Sequence, residues 1–264
     1  MVASVPDAGG DSVSGIRRVA SIYARIGRTY WSWAPGLLLL AVVIFLPLGL
    51  LETIPGQLDS DSFDLDSIVA VVALAGAIGL LAATSLIGEV FFSGAVAVAL
   101  THPRHERPPG LREIAGRLNY GRLIAVDLAY VAIVVVGLFL LIVPGALAFV
   151  WLGLAGPVVE IEGRGGRGAL ERSWALVSGR FWTVAAVLIP IELVGDSAAE
   201  ALTAGVHSLL GHAFVATWLA DSVANILLAP LFAVAAVLLT LDMIAEKDGA
   251  GPRLNPSPAP APAT

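Results

Sequence analysis

The chain has 264 residues, 57% of them hydrophobic and only 14% charged, with a formal net charge of −6. A soluble domain of that composition would lack polar cover, so the bilayer is the solvent, and spans of about 20 residues leave about a third of the chain for loops, tails and surface helices. That remainder has no room for a separate soluble catalytic domain, and the absence of cysteine excludes disulfides, thiolate metal sites and cysteine nucleophiles.

Residues 1–14 carry Gly, Ser and Asp without periodicity and are expected to form a disordered tail. From Ile16 onward Val19, Ile22, Tyr23, Ile26 and Tyr30 share one side of a helical wheel. Arg17, Arg18, Arg25 and Arg28 take the other side, which predicts a basic amphipathic helix lying on the membrane. Trp31 and Trp33 mark the interface, and residues 36–51 form the first span. No small-residue cleavage pattern follows Leu51, so this segment reads as a span and not as a cleaved signal.

The loop to Asp66 holds Glu52, Asp59, Asp61, Asp64 and Asp66 and no base. It lacks the central glycine and final glutamate of a calcium loop, so it reads as solvated acid, with Asp64 or Asp66 capping the next helix. Residues 67–101 are one apolar run, read as a single long tilted span because no strong turn interrupts it. Gly76, Gly79 and Ala83 give it a small-residue face.

In the polar stretch 102–122, Leu111, Ile114 and Leu118 share one face of a second surface helix. Spans three and four, 123–143 and 146–162, are expected to meet at Pro144-Gly145, a pair suited to a tight turn. A third surface helix from Ala169 places Leu170, Trp174, Val177 and Phe181 on one face, with Arg172 and Arg180 elsewhere. The fifth span runs from 181 to about 200 with Pro190 as a kink, the sixth from about 216 to 243, and residues 249–264 form a Pro-Ala tail.

Lys and Arg number four before the first span, five between the second and third, four between the fourth and fifth and two after the sixth. The opposite loops contain none, so the positive-inside rule predicts a cell-membrane protein with both termini in the cytoplasm. The expected fold class is therefore all-α: a polytopic membrane domain over residues 15–248 with six transmembrane helices and basic amphipathic interfacial helices on the cytoplasmic side. Gly-Arg ahead of an aromatic recurs in GRTYW at 27–31, GRLNY at 116–120 and GRFW at 179–182. A threefold unit of surface helix plus two spans would explain the recurrence, and so would the general preference for Arg and aromatic residues at membrane boundaries.

The stretch around the third surface helix carries Pro157, Glu160, Ala169-Leu170, Arg172-Ser173-Trp174, Leu176, Gly179-Arg180 and Phe181-Trp182. In its six-span setting it resembles the membrane domain found with some bacterial glycerophosphoryl diester phosphodiesterases, which also occurs alone. The resemblance implies a helical membrane bundle and a bacterial origin, to which the excess of Arg over Lys with abundant Ala, Gly and Val is also suited. Phosphodiesterase chemistry in that family resides in a separate soluble barrel, so the resemblance carries over neither that activity nor catalytic residues.

Four intramembrane acids stand out. Glu192 and Asp196, followed at the same spacing by Glu200, line one face of the fifth span, with His207, His212 and Asp221 beyond. Such groups can bind a cation or relay protons, although Asp196 and Glu200 approach the outer surface and no zinc spacing is present. Glu89 either faces a polar cavity with Glu192 or marks a cytoplasmic boundary, and Asp127 is close enough in sequence to pair with Arg122. Arg172, Arg180, Trp174 and Trp182 are candidates for holding an anionic lipid headgroup. The function expected is a non-enzymatic role without cofactor or metal, interacting with membrane lipids or scaffolding protein partners at the cytoplasmic leaflet and not binding nucleic acid. The alternative is a transporter or lipid-handling carrier that uses Glu89 and Glu192.

Overall fold

The computed structural model describes residues 8–53, 88–101, 110–211 and 213–249. Every regular element among them is a helix: α1 (Ala8–Thr53), α2 (Glu89–Thr101), α3 (Leu111–Arg117), α4 (Tyr120–Leu140), α5 (Ile142–Leu152), α6 (Ala155–Glu162), α7 (Arg167–Ser178), α8 (Phe181–Leu210) and α9 (Phe214–Asp248). Five stretches are long and apolar enough to cross a membrane: Arg17–Leu50, Tyr120–Leu138, Val143–Glu162, Phe181–Leu210 and Phe214–Asp248. The all-α membrane fold is thus as expected. The expected second span is described only as α2, whose 13 residues reach about 20 Å against a hydrocarbon core of about 30 Å. The acidic loop, the Gly76-Gly79-Ala83 face and most of the Pro-Ala tail lie outside the described residues.

α9 is the central helix, packed against α1, α2, α6, α7 and α8. Its residues Ala233 to Leu239 are buried on every side, which suits a run of Ala, Val and Leu with no polar face to keep wet. α1 runs antiparallel along it. At one end Arg18 pairs with Glu246 and Arg25 with Asp242, and toward the other Trp218 Nε1 donates to the Leu46 carbonyl.

The expected break between a surface helix and the first span does not occur, and α1 already begins at Ala8, inside the expected disordered tail. The reason lies in burial: Ile22 and Ile26 are buried in the same core as Leu37, Ala41 and Phe45. The apolar stripe meets α8 and α9 instead of lipid, with the Tyr23 hydroxyl donating to the α8 carbonyl of Ala186 and the Tyr30 hydroxyl to that of Leu227. Pro35 and Pro47 lie within the helix without ending it, as neighbouring helices permit in a bundle.

The continuous second span is also corrected. Gly88 takes φ +93°, which a helix cannot continue through, and α2 starts afresh at Glu89. α2 then lies against α6 with backbones nearly touching: a Cβ on Gly156 would run into the Val90 carbonyl oxygen and the Ser93 hydroxyl. On α4 and α5 the expected turn moves. The chain reverses at Leu141, while Pro144 sits in the first turn of α5, where its missing N–H is no loss. Gly145 instead packs against Gly137, where a Cβ would stand 2.9 Å from the Gly145 Cα.

The surface helix α3 forms as expected, with Ile114 buried and Leu111 and Leu118 packed on the core. α7 forms too, but it turns a different face inward. Ala169, Ser173, Leu176 and Val177 are buried, while Trp174 stays half exposed, its ring centroid 3.9 Å from that of Trp151. The Ser173 hydroxyl donates to the Trp151 carbonyl at 2.7 Å, which is why a polar residue leads the inward face. Of the three Gly-Arg boundaries, Gly179-Arg180 separates two helices and Gly116-Arg117 closes one, whereas Gly27-Arg28 lies inside α1. The segments therefore do not repeat as equivalent units.

Candidate functional site: a carboxyl pair inside the bundle

The site is built on the start of α2. Its first N–H groups would be unsatisfied in an apolar setting, and Asp127 of α4 supplies the acceptors: Oδ2 takes the Gly88 N–H at 2.9 Å and Oδ1 takes the Val90 N–H at 3.1 Å. The side chain is buried and caps α2 from a neighbouring helix of the bundle. Its expected partner Arg122 turns away, donating to the Gly163 carbonyl at 2.8 Å. Both carboxylate oxygens are engaged, so Asp127 is a positioning group. Asp127→Ala should lower stability by about 2–3 kcal/mol, and Asp127→Asn by less because its amide oxygen still accepts. The midpoint of thermal unfolding in detergent reads both, and equal midpoints for wild type and Asp127→Ala would refute the capping role.

The cap holds Glu89 one residue beyond Gly88, where it meets Glu192 from α8. The two carboxyls face each other where the same pocket walls hold both. Two like charges so placed in an apolar setting cannot both ionise freely, so the pair favours holding one proton between them. Tyr130, completely buried on α4, brings its hydroxyl beside Glu89. Neither that hydroxyl nor Glu89 Oε2 has hydrogen-bond geometry to any partner among the described residues.

Glu89 and Glu192 open into a cavity of two adjoining lobes that share both of them with Asp196 and Asn225. The larger holds about 410 Å³ between α4, α5 and α8, walled by Val134, Leu138 and Phe149. The smaller, about 60 Å³, reaches toward Phe45, Phe92 and Phe232. No Lys, Arg or His lines either lobe among the described residues. Glu192 lies 11 residues into α8, so it stands about 17 Å from the helix start and near the middle of a bilayer core about 30 Å thick. Of the two readings open for Glu89, the geometry is that of the cavity.

The remaining candidates fall elsewhere. Glu200 is exposed, the His207 ring meets the Thr217 hydroxyl at 2.9 Å, and Asp221 accepts from Thr203 at 3.2 Å. His212 is outside the described residues, among which no three His, Asp or Glu are set to hold a metal ion. Arg172 is largely buried between Glu162 and Asp248, and Arg180 pairs with Glu246. Both arginines therefore face carboxylates of this chain, leaving Trp174 at 47% and Trp182 at 81% exposure beside them.

No protein-family model, curated protein or solved structure matches this chain.

Tyr130 and Asn225 complete the site without having stood out in the sequence. Tyr130 follows Asp127 at the i, i+3 spacing of one helix face, and Asn225 is a lone amide in an apolar run. Both are polar groups at membrane depth, which is the signal that would have found them.

Proposed function

We propose that this protein is a non-enzymatic carrier of the cell membrane, with its solute path passing between Glu89 and Glu192. The observation that supports this reading is the meeting of two carboxyls from different helices in a cavity at mid-membrane depth. Intramembrane acids are costly and are kept where a substrate or proton passes. The lipid-headgroup alternative has less support, because its two arginines are paired internally.

Topology supports a crossing path. α1 and α9 bring the first and last basic segments together through Arg18 and Glu246. The start of α4 joins the same end through Asn119, which donates to Glu160, and Glu162 next to it binds Arg172. The positive-inside rule makes this basic end cytoplasmic, together with both termini.

The absence of cysteine permits a direct test. Gly195 lines the smaller lobe, and a Cβ there would meet nothing within 4 Å, so Gly195→Cys adds a single thiol in open space. In oriented membrane vesicles, a membrane-impermeant maleimide should label it from either face, because a carrier exposes its site alternately. Labelling from one face only, or from neither, would overturn the carrier reading.

A further inference from the structure

We infer that the cavity binds an organic monocation with an apolar body, and that the cation enters as the proton shared by Glu89 and Glu192 leaves. The inference rests on the carrier reading and names its substrate class. The larger lobe, at about 410 Å³, falls in the range of small-molecule sites, and its walls are mostly apolar. Its polar groups are lopsided: Glu89, Glu192 and Asp196 accept or ionise, and no cationic side chain lines the cavity among the described residues. An anion would meet only like charge. A neutral apolar molecule would cover the carboxyls and offset none of their charge.

A bare metal ion fits no better, since it needs several oxygen ligands around one point. Asp127 already spends both oxygens on the N–H groups of Gly88 and Val90, and Glu89, Glu192 and Asp196 are not among any three acids set to hold a metal ion in the described residues. A substituted ammonium matches what remains. Its diffuse charge asks for anionic groups without strict geometry, while its hydrocarbon suits the Phe149, Val134 and Leu138 walls and the ring faces of Phe45, Phe92 and Phe232 beyond.

The exchange balances. In the empty site Glu89 and Glu192 hold one proton and one negative charge between them. When the cation enters, the O–H bond of the shared proton breaks, the proton passes to water, and two carboxylates face one cation, so the site with its contents carries one negative charge before and after. The groups facing the pair are Tyr130 and Asp127 from α4 and Asp196 from α8, with uncharged Asn225 from α9, Phe45 from α1 and Phe149 from α5. None is a cation that would take the substrate's place.

The test is calorimetric titration of the full chain in detergent with benzyltrimethylammonium, against neopentylbenzene, the neutral molecule of the same shape. The cation should bind, the neutral isostere should bind at least about tenfold more weakly, and Glu89→Gln should weaken the cation by a similar factor. Repeating the titration in buffers of different ionisation enthalpy should show about one proton released per cation. Glu192→Gln serves if Glu89→Gln does not fold. Equal affinity for the two probes, no binding of the cation, unchanged cation affinity in both glutamine variants, or cation binding without proton release would each overturn the inference. If Gly195→Cys is labelled from both faces yet the cation does not bind, the carrier reading stands and this inference falls. Cation binding with proton release but one-sided labelling would keep the cation site and remove the carrier.

Discussion

Gly156→Val should leave no folded protein to purify, and Gly156→Ala should unfold at a markedly lower temperature than wild type. The argument is steric. α2 and α6 touch backbone to backbone at this point, and the atoms a Cβ would strike are the Val90 carbonyl oxygen, which belongs to a helix and cannot rotate away, and the Ser93 hydroxyl. Ser93 is itself fixed, buried and donating to Val90 at 2.9 Å. The same face of α2 offers no slack one turn on. A Cβ on Gly94 would stand 2.5 Å from the Leu123 side chain and 3.3 Å from the Gly156 carbonyl oxygen, and α2 packs on α9 as well. One extra methyl must therefore push α2 bodily, which overpacking of close-packed interiors makes about 1–3 kcal/mol unfavourable, and two further methyls more than double the insult. Because Glu89 is the first residue of α2, the shift also separates it from Glu192. Thermal unfolding of Gly156→Ala should fall by several degrees, and its affinity for benzyltrimethylammonium should fall with it. A wild-type midpoint would mean that α2 and α6 are not in this contact.

This contact also explains how much of the molecule the sequence disclosed. The long apolar runs are insensitive to context, so α4, α8 and α9 were readable from hydropathy alone, as were the basic segments that gather at one end. What escaped were features decided by a partner far away in the chain. The amphipathic stripe from Ile22 to Tyr30 reads the same whether it faces lipid or another helix, and only α8 and α9 decide that it is buried. Gly88 looks like any glycine of an apolar run until Asp127 arrives from α4 to stabilise a helix start beside it. Periodicity puts Trp174 and Phe181 together on one apolar face of the third surface helix, but an indole can lie over Trp151 at the rim while Ser173 goes inside to bond a carbonyl. For the site, the acids were visible as costly intramembrane charges, and Glu89 and Glu192 do meet. Their separation from the arginines was not visible, since a salt bridge to Glu162 and a headgroup contact ask for the same residue.

That ambiguity yields the second large effect, because the two roles of Arg172 predict different losses. Arg172 and Glu162 are each 14% exposed and lie 2.8 Å apart, with Asp248 at the end of α9 on the other side of the guanidinium. The Glu162 carboxylate, ahead of Asp248, holds the Arg172 pKa above its already high ordinary value. A base whose pKa rises on folding stabilises the fold at every pH below its unfolded value, so this contribution is constant through the neutral range and lost only at extreme alkalinity. Arg172→Gln leaves Glu162, among the described residues, with the more exposed Arg164 as its remaining ion-pair partner and detaches the end of α9. Breaking a largely buried pair from one side should destabilise by about 3 kcal/mol. Removing both charges, in Arg172→Gln with Glu162→Gln, should restore part of the loss, because the uncompensated carboxylate is then gone. Arg167→Gln is the control: its partner Glu171 lies in open solvent with it, at 63% and 91% exposure, so its loss should stay within about 0.5 kcal/mol. If Arg172 instead served a lipid headgroup, its replacement would leave the unfolding midpoint in place and strip a lipid mass from the protein in native mass spectrometry. A large drop in midpoint with partial rescue by the double variant assigns Arg172 to tying α6, α7 and α9 together at the basic end.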